Sequence, residues 1–586
     1  MTDRNTNDND NSSNSGKFKQ DTLFEAKKID TNSKDSLDAD TQDYIAKFLD
    51  ISQNAKESDN QDKNMSLKEG LKTFPKAAMW SVVLSTAIIM EGYDVNLLNS
   101  FYSFPEFVKK FGEYYPEKGT YEIPAKWQTA LSMSVYVGEI IGLFFAGIIS
   151  DRIGYRKTLM GALVMVTCFI FIVFFAPNVK ILLIGEILLG MPWGAFQTLT
   201  VSYASEVCPT VLRLYLTTYV NACWVIGQLL SSCILKGMLS TKMKDGYKIP
   251  FALQWMWPIP IAIGIFLAPE SPWWLMKVGR AKEAKKSLMR LLSDSENAPD
   301  KEIMANAMVD KMSMTIKEES AVEDGISYFD AFKPVNLRRT RVTCFTWLVQ
   351  NMTGSAFMGY STYFYLNAGM STSNSFTFSI IQYVLGLVGT VLSWFLSQKF
   401  GRFEIYFGGL CIQSVLLIVT GCLGTVSSQG ASWGIGSLLL VFTFVYDISV
   451  GPVCYCLVTE LPSTQMRTKT IILARNLYNL SGILIAVITP YMLNPTAWAW
   501  GAKTGFFWGG LAILSSIWVW CELPETKGRT FAELDVLFSK GIAARKFKTT
   551  EVEVFDVGHM MEKMGHGGIR DVVEDKKAEL LHVEHV

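Results

Sequence analysis

Histidine is almost missing from this 586-residue sequence: its four copies, His559, His566, His582 and His585, all fall close to the C-terminal end. The long apolar body therefore has no imidazole for a metal site, for general acid–base catalysis or for carrying a proton. Charge is also scarce. Asp, Glu, Lys and Arg make up 18% of residues, and 54 basic side chains balance 54 acidic ones, so no global field attracts nucleic acid. The ten cysteines, Cys168 to Cys521, lie in or at the ends of apolar stretches and form no CxxC pair. They read as small apolar residues, not as a metal site or a disulfide framework. There is no GxxxxGK[ST] loop, so no nucleotide is expected as a partner, and no apolar segment in the first thirty residues that would act as a signal peptide. No metal-ligand or nucleophile–base constellation points to an enzyme, and neither a cofactor nor a metal is expected.

What is abundant is apolarity. Hydrophobic residues make up 49% of the chain and the mean hydropathy is +0.21, high for a soluble protein of this length. Residues 1–76 are rich in Asn, Asp, Ser and Lys and read as a disordered, solvated tail. Runs long enough to span a bilayer, about 20 residues each, follow at 77–98, 128–149, 158–176, 180–202, 214–236 and 251–268. A polar linker covers 269–341. A second set lies at 342–366, 374–396, 405–425, 434–458, 470–492 and 503–522, before a polar tail at 523–586. The expected fold is an all-α integral membrane protein with twelve transmembrane helices in two six-helix halves, 77–268 and 342–522. Lys and Arg concentrate in the loops at Arg152–Lys157, Lys399–Arg402 and Arg467–Lys469, in the linker and in the C-terminal tail. The positive-inside rule then places both termini in the cytosol. The segment Arg280–Leu292 alternates charge and leucine at helical spacing and is expected to form amphipathic cytosolic helices.

The halves repeat one another. Glu206 and Arg213 are seven apart after the fourth span, as are Glu460 and Arg467 after the tenth. Pro269-Glu270-Ser271-Pro272 follows the sixth span and Pro524-Glu525-Thr526-Lys527 the twelfth. Gly147-x3-Asp151-Arg152-x-Gly154-x-Arg156-Lys157 follows the second, echoed by Gly401-Arg402 after the eighth. Pseudo-symmetric halves suit alternating access around a central site.

The Gly-x3-Asp-Arg-x-Gly motif resembles the major facilitator superfamily. The paired Glu-x6-Arg elements, Pro-Glu-Ser-Pro-Trp-Trp-Leu (269–275) and Pro-Glu-Thr-Lys-Gly-Arg (524–529) look like its sugar porter family. Five finer strings resemble the fungal maltose permeases, α-glucoside:proton symporters. They are Glu-Gly-Tyr-Asp (91–94), Pro-Phe-Ala-Leu-Gln-Trp-Met-Trp-Pro (250–258), Gly-Tyr-Ser-Thr-Tyr-Phe (359–364), Arg-Thr-Lys-Thr-Ile-Ile-Leu-Ala-Arg-Asn (467–476) and Trp-Gly-Ala-Lys-Thr-Gly (500–505). The resemblance covers roughly 65–550. It implies a plasma-membrane importer that moves maltose or a related α-glucoside together with a proton. A facilitator or symporter of another sugar such as a hexose, and a non-transporting sugar sensor, are the rival readings.

Charges inside the spans cost about 2.5–3.5 kcal/mol each at a helix centre on insertion scales, so each asks for a reason. Glu91 and Asp94 are three apart in the first span and expected on one face. Glu139 lies in the second span, Glu186 in the fourth and Asp447 in the tenth, and Arg475 is the basic residue deep in the eleventh. Acids outnumber bases, so full pairing is impossible and at least one carboxyl must be protonated or face water. Asp94 is the first choice as proton carrier, with Glu91, Glu139 and Arg475 completing the set. The resemblance supports Asp94 but departs at Gly185-Glu186, where many proton-coupled porters carry an Arg that pairs with this Asp; Arg475 is the expected substitute. Sugar hydroxyls need uncharged polar partners and an aromatic platform, for which Asn221, Gln228, Gln350, Asn351, Tyr360, Tyr455 and Asn479 are the candidates. In the family, Tyr455 and Asn479 stand where tryptophan is common, which implies a roomier pocket. The motif charges Asp151, Arg152, Arg156, Glu206, Arg213, Glu270, Arg402, Glu460, Arg467 and Glu525 are expected to tie helix ends together as a cytosolic gate.

Overall fold

The computed structural model describes residues 39–552 apart from 116–119, 240–245, 295–300, 321–326, 360, 368–370, 427–428, 465, 494–497 and 499. Among the described residues, eleven helices are long and apolar enough to cross a membrane: Pro75–Phe101, Lys126–Ile153, Tyr155–Phe174, Val179–Val207, Thr210–Met238 and Lys248–Leu267 in the first half, then Thr372–Lys399, Arg402–Leu423, Trp433–Glu460, Arg467–Thr489 and Gly501–Glu522. We number them spans 1–6 and 8–12. The seventh position is filled by a broken element, Pro334–Met352, Ala356–Gly359 and Ser361–Asn367, here called span 7. Its first turns carry Arg338, Arg339 and Arg341, which lowers its apolarity. It breaks where Gly354 takes φ +82°, a left-handed conformation that disfavours other residues.

Spans pack through small residues, as expected where lipid removes the hydrophobic drive between helices. A Cβ on Gly138 of span 2 would come within 2.1 Å of the Ile187 carbonyl of span 4, and one on Gly190 within 2.4 Å of the Val135 carbonyl. Only glycine lets these two backbones approach so closely.

Span 10 is also discontinuous. Its helices Gln429–Ile448 and Val450–Glu460 meet at Ser449, whose φ −129° and ψ −86° are not helical. Pro452 accounts for the break, because a proline in a helix removes one N–H and clashes with the carbonyl four residues earlier, here Ile448.

Outside the spans, a short antiparallel hairpin pairs Glu113–Tyr115 with Thr120–Glu122. The linker holds the helices Pro272–Lys277, Ala281–Leu291 and Lys301–Ser320. The charged stretch expected to be amphipathic is the second of these, and it buries Ala284, Leu288 and Leu291 along one face.

The tail expected to be disordered is ordered in part: residues Ala39–Asn64 form a helix. Its physical reason is pairing with distant segments. Asp59 and Asp62 lie 2.9 and 3.0 Å from the Lys311 ammonium, and Asp62 accepts from the backbone N–H and hydroxyl of Thr210 at 2.8 and 2.9 Å. Lys63 meets Glu533 at 2.8 Å and Thr530 donates to Asp59 at 3.1 Å. One helix thus touches the first half, the linker and the segment after span 12. Residues 1–38 and 553–586, which include all four histidines, lie outside the described residues.

Candidate translocation site

The end of the bundle that carries the motif loops is built twice from the same parts. Glu270 accepts from the N–H groups of Tyr155 and Arg156 at 3.0 and 3.2 Å, placing a carboxylate on the N-terminus of span 3, where the helix dipole favours it. Glu525 does the same for span 9, accepting from the N–H groups of Arg402 and Phe403 at 2.8 and 3.2 Å. Ser271 donates to Glu206 and Thr526 donates to Glu460, both at 2.5 Å. Arg213 and Arg467 lie over the same ring, Phe531, at 3.6 and 3.7 Å. The offsets noticed in the sequence are therefore matched three-dimensional devices.

Other motif contacts join the two halves. Arg467 reaches Glu206 at 3.7 Å and Lys469 reaches Asp151 at 2.9 Å. The Tyr155 hydroxyl donates to Glu206 at 3.1 Å and lies 3.0 Å from the Thr468 hydroxyl. Arg402 binds Glu460 at 3.4 Å within the second half, and Arg156 donates to the Phe266 carbonyl. Arg152, expected in the same set, is exposed. The motif end is closed in this conformation.

Between the halves lies a cavity whose empty space, the open solvent at its mouth included, is about 1340 Å³. Asn221, Gln228, Gln350, Asn351 and Tyr455 all line it, as do Glu139, Asp447 and Arg475. Three of its amides are held through their NH2 groups. Asn221 donates to Thr390 and Asp447, both at 3.0 Å. Gln350 donates to the Gly451 carbonyl at 3.1 Å, and Asn351 to the Tyr478 carbonyl and the Ser481 hydroxyl at 2.8 and 2.7 Å. With the donors so engaged, the amide oxygens remain to meet hydroxyl donors, and the wall is rich in acceptors.

Asn479 is fully buried beside Glu139, where span 11 packs on span 2, and is not among the lining residues. One site expectation is corrected: Arg475 does not pair with Asp94. It lies 3.3 Å from Glu139 and 3.6 Å from Glu91, with its guanidinium 4.4 Å from the Tyr478 ring centre. Asp94, also outside the lining, accepts from Gln254 at 2.6 Å and Trp193 at 3.3 Å. Although three apart, Glu91 and Asp94 serve different neighbours, one facing the second half and one turned into the first. Glu186 is fully buried, with Asp94 as its charged neighbour. Tyr360 lies outside the described residues.

The sequence reading missed Asn96, Tyr136, Gln197, Trp224, Tyr383, Tyr446 and Tyr478, all in the wall. Helical spacing held part of the signal: Trp224 falls between Asn221 and Gln228 at steps of three and four, and Tyr136 is three before Glu139. Tyr383 gave none, because its hydroxyl is placed by donating across the halves to Asn96 at 2.7 Å.

Comparison with known proteins agrees with this architecture. A sequence model described as Sugar (and other) transporter matches residues 80–538. The chain is 48% identical over 546 residues to Alpha-glucosides permease MPH3 of Saccharomyces cerevisiae, covering 92% of this chain and 90% of that one. It is 48% identical to Maltose permease MAL61 of Saccharomyces cerevisiae over 88% of this chain and 84% of the relative. A solved structure of the major facilitator superfamily proton:xylose symporter XylE, bound to 6-bromo-6-deoxy-D-glucose, shares the fold with a TM-score of 0.68 and 20% identity, covering 79% of this chain and 99% of that one. An inward open conformation of XylE from E. coli gives a TM-score of 0.58 at 20% identity, covering 78% and 98%. The chain is a multi-pass membrane protein of the major facilitator fold and belongs to the sugar transporter family.

Proposed function

We propose that this transporter imports maltose and related α-glucosides across the plasma membrane together with a proton, with both termini in the cytosol. The observation that carries the coupling is the cluster at the cavity wall, where Arg475 of the second half lies between Glu91 and Glu139 of the first. Two carboxylates share one guanidinium, so one negative charge is surplus and one proton makes the cluster neutral. Glu139 and Arg475 also line the cavity, so the pair that links the halves is in reach of the sugar. This moves first place among the proton carriers from Asp94 to Glu139. Asp94, one turn beyond Glu91 on span 1, is the next carboxyl toward the outer face in that orientation.

The substrate class rests on the named permeases among the relatives and on the acceptor-rich, tyrosine-lined cavity. The orientation rests on the basic motif loops. One proton entering down about 100 mV releases about 2.3 kcal/mol, and each pH unit adds about 1.4, enough for a gradient of several hundredfold.

The test is sugar-induced alkalinisation of the medium by cells expressing this chain alone, read with mono-, di- and trisaccharides. Maltose should alkalinise the medium, and Glu139→Gln should abolish the signal. Uptake of maltose without proton entry in the wild type would leave a facilitator. A signal with hexoses and none with maltose would remove the α-glucoside assignment.

A further inference from the structure

The motif end of the first half carries a groove that sugar and proton do not use. It lies where the ends of spans 2, 3 and 6 meet the linker helix Ala281–Leu291, and its empty space, the open solvent at its mouth included, is about 980 Å³. Five bases line it, Arg156, Lys157, Arg280, Lys286 and Arg290, against two acids, Glu270 and Glu283. Both acids are engaged, Glu270 as the cap of span 3 and Glu283 as the acceptor for Arg280 at 2.7 Å. Arg290 donates to the Leu267 carbonyl at 2.6 Å and Arg156 to the Phe266 carbonyl, which leaves most N–H groups of both guanidinium forks unused. Lys157 and Lys286 are exposed and have no acceptor among the described residues. The charge surplus is thus held open at a fixed place.

Apolar surface leads to the same place. Ile259, Ile263, Phe266 and Leu267 are exposed at helical spacing along span 6, and the stripe ends at the two carbonyls that hold Arg156 and Arg290. In the second half the equivalent ground is taken by the chain itself. Arg545 lies 3.4 Å over the Phe403 ring and donates to the Leu523 carbonyl, and Lys548 meets Glu404 at 2.9 Å.

From this geometry, and resting on the cytosolic orientation of the motif end, we infer that the groove binds the phosphorylated head group of an anionic inner-leaflet lipid. Phosphate oxygens meet Lys157, Lys286 and the unused N–H groups of Arg156 and Arg290, while the acyl chains follow the stripe on span 6. Basic pockets between spans on the cytosolic side suit such head groups. The stripe favours a lipid over a soluble phosphate, which would gain nothing from it.

The experiment titrates the purified full-length transporter in detergent with dioctanoyl phosphatidylinositol 4,5-bisphosphate, dioctanoyl phosphatidylcholine and free inositol 1,4,5-trisphosphate, and reads Kd together with the melting temperature. The wild type should bind the bisphosphate lipid at least about tenfold more tightly than phosphatidylcholine, and also than the free head group, which lacks the chains. The double variant Lys157→Gln/Lys286→Gln should lose about tenfold or more, and Lys157→Arg/Lys286→Arg should keep the affinity. The charge-matched variant Lys399→Gln/Lys546→Gln, in the second half, should bind as the wild type does. Melting temperatures without lipid show that each variant is folded. Equal binding of the bisphosphate lipid and phosphatidylcholine overturns the inference. So does an equal loss in the two glutamine variants, which would reflect net charge alone. Free head group binding as tightly as the lipid would make the ligand a soluble phosphate, and overturns the lipid. None of these readings needs sugar transport or a sidedness, so their failure is separate from that of the orientation.

Discussion

The motif end and the middle of the bundle follow opposite rules. At the motif end the halves are near copies: Glu270 and Glu525 cap equivalent helices, Ser271 and Thr526 serve equivalent glutamates, and Arg213 and Arg467 share Phe531. In the middle the symmetry is gone. Among the charges, Glu91, Asp94, Glu139 and Glu186 lie in the first half and Asp447 and Arg475 in the second, while both halves give amides to the cavity wall, Asn221 and Gln228 from one and Gln350 and Asn351 from the other. Holding helix ends is the same task in both halves, and one solution serves twice. Binding an asymmetric solute and linking it to a charge demands different chemistry on the two sides.

The contrast can be broken most forcefully at its asymmetric centre. Arg475→Leu leaves Glu91 and Glu139 buried without their shared cation, a loss of the kind that costs about 3–5 kcal/mol. We expect abolished accumulation and a marked fall in thermal stability in detergent. Glu139→Gln on the Arg475→Leu background should recover part of that stability, because it removes one of the stranded charges.

At the symmetric end, Phe531→Leu removes the ring shared by two guanidinium groups, each contact worth about 0.5–2 kcal/mol. Because the two arginines come from opposite halves, accessibility labelling should find the motif end open more often.

Smaller and matched effects are expected from Glu270→Ala and Glu525→Ala. Loss of a helix cap costs about 1 kcal/mol, and the two variants should lower the melting temperature by similar amounts. A large difference between them would mean that the copies are not functionally equivalent.

The smallest effect concerns the helix Ala39–Asn64. Burial pushes the Asp62 carboxyl up, but the Lys311 and Arg213 cations and the Thr210 N–H outweigh it and hold the carboxyl below its ordinary 3.8. Burial likewise pushes Lys311 down, and Asp62 and Asp59 more than compensate, leaving it above its ordinary 10.5. A depressed acid contributes docking stability above its free value and loses it as pH falls through the lowered one. A raised base contributes below its free value and loses it as pH rises through the raised one. The protection of this helix against hydrogen exchange, relative to the intrinsic rate at each pH, should therefore be flat from about pH 5 to 8, with release only well outside that window.

Sequence legibility follows the same division. The motif devices were readable because each repeats at fixed offsets, and the spans because apolar runs of bilayer length have few other uses. The charges Glu91, Glu139 and Arg475 could be singled out by their cost in a membrane, but their pairing could not. Glu91 and Asp94 share a helix face by spacing, yet packing of spans 1, 4 and 6 gives Asp94 to Trp193 and Gln254. The tail helix was hidden because a polar, charged segment looks solvated until Lys311 and Thr210, far along the chain, are brought against it. The span 7 break depends on one glycine dihedral, and the inward aromatic residues on which side of each helix meets a neighbour.

The central claim is that the Glu91–Glu139–Arg475 cluster couples the proton to the sugar. Its most direct test compares two modes of Glu139→Gln in one preparation: exchange of labelled against unlabelled sugar at equilibrium, and uphill uptake driven by an imposed pH gradient. Exchange needs only binding and alternation of access, whereas uphill uptake needs the proton. The account predicts exchange close to the wild-type rate with no response to the gradient. Gradient-driven accumulation at the wild-type level in Glu139→Gln would contradict it.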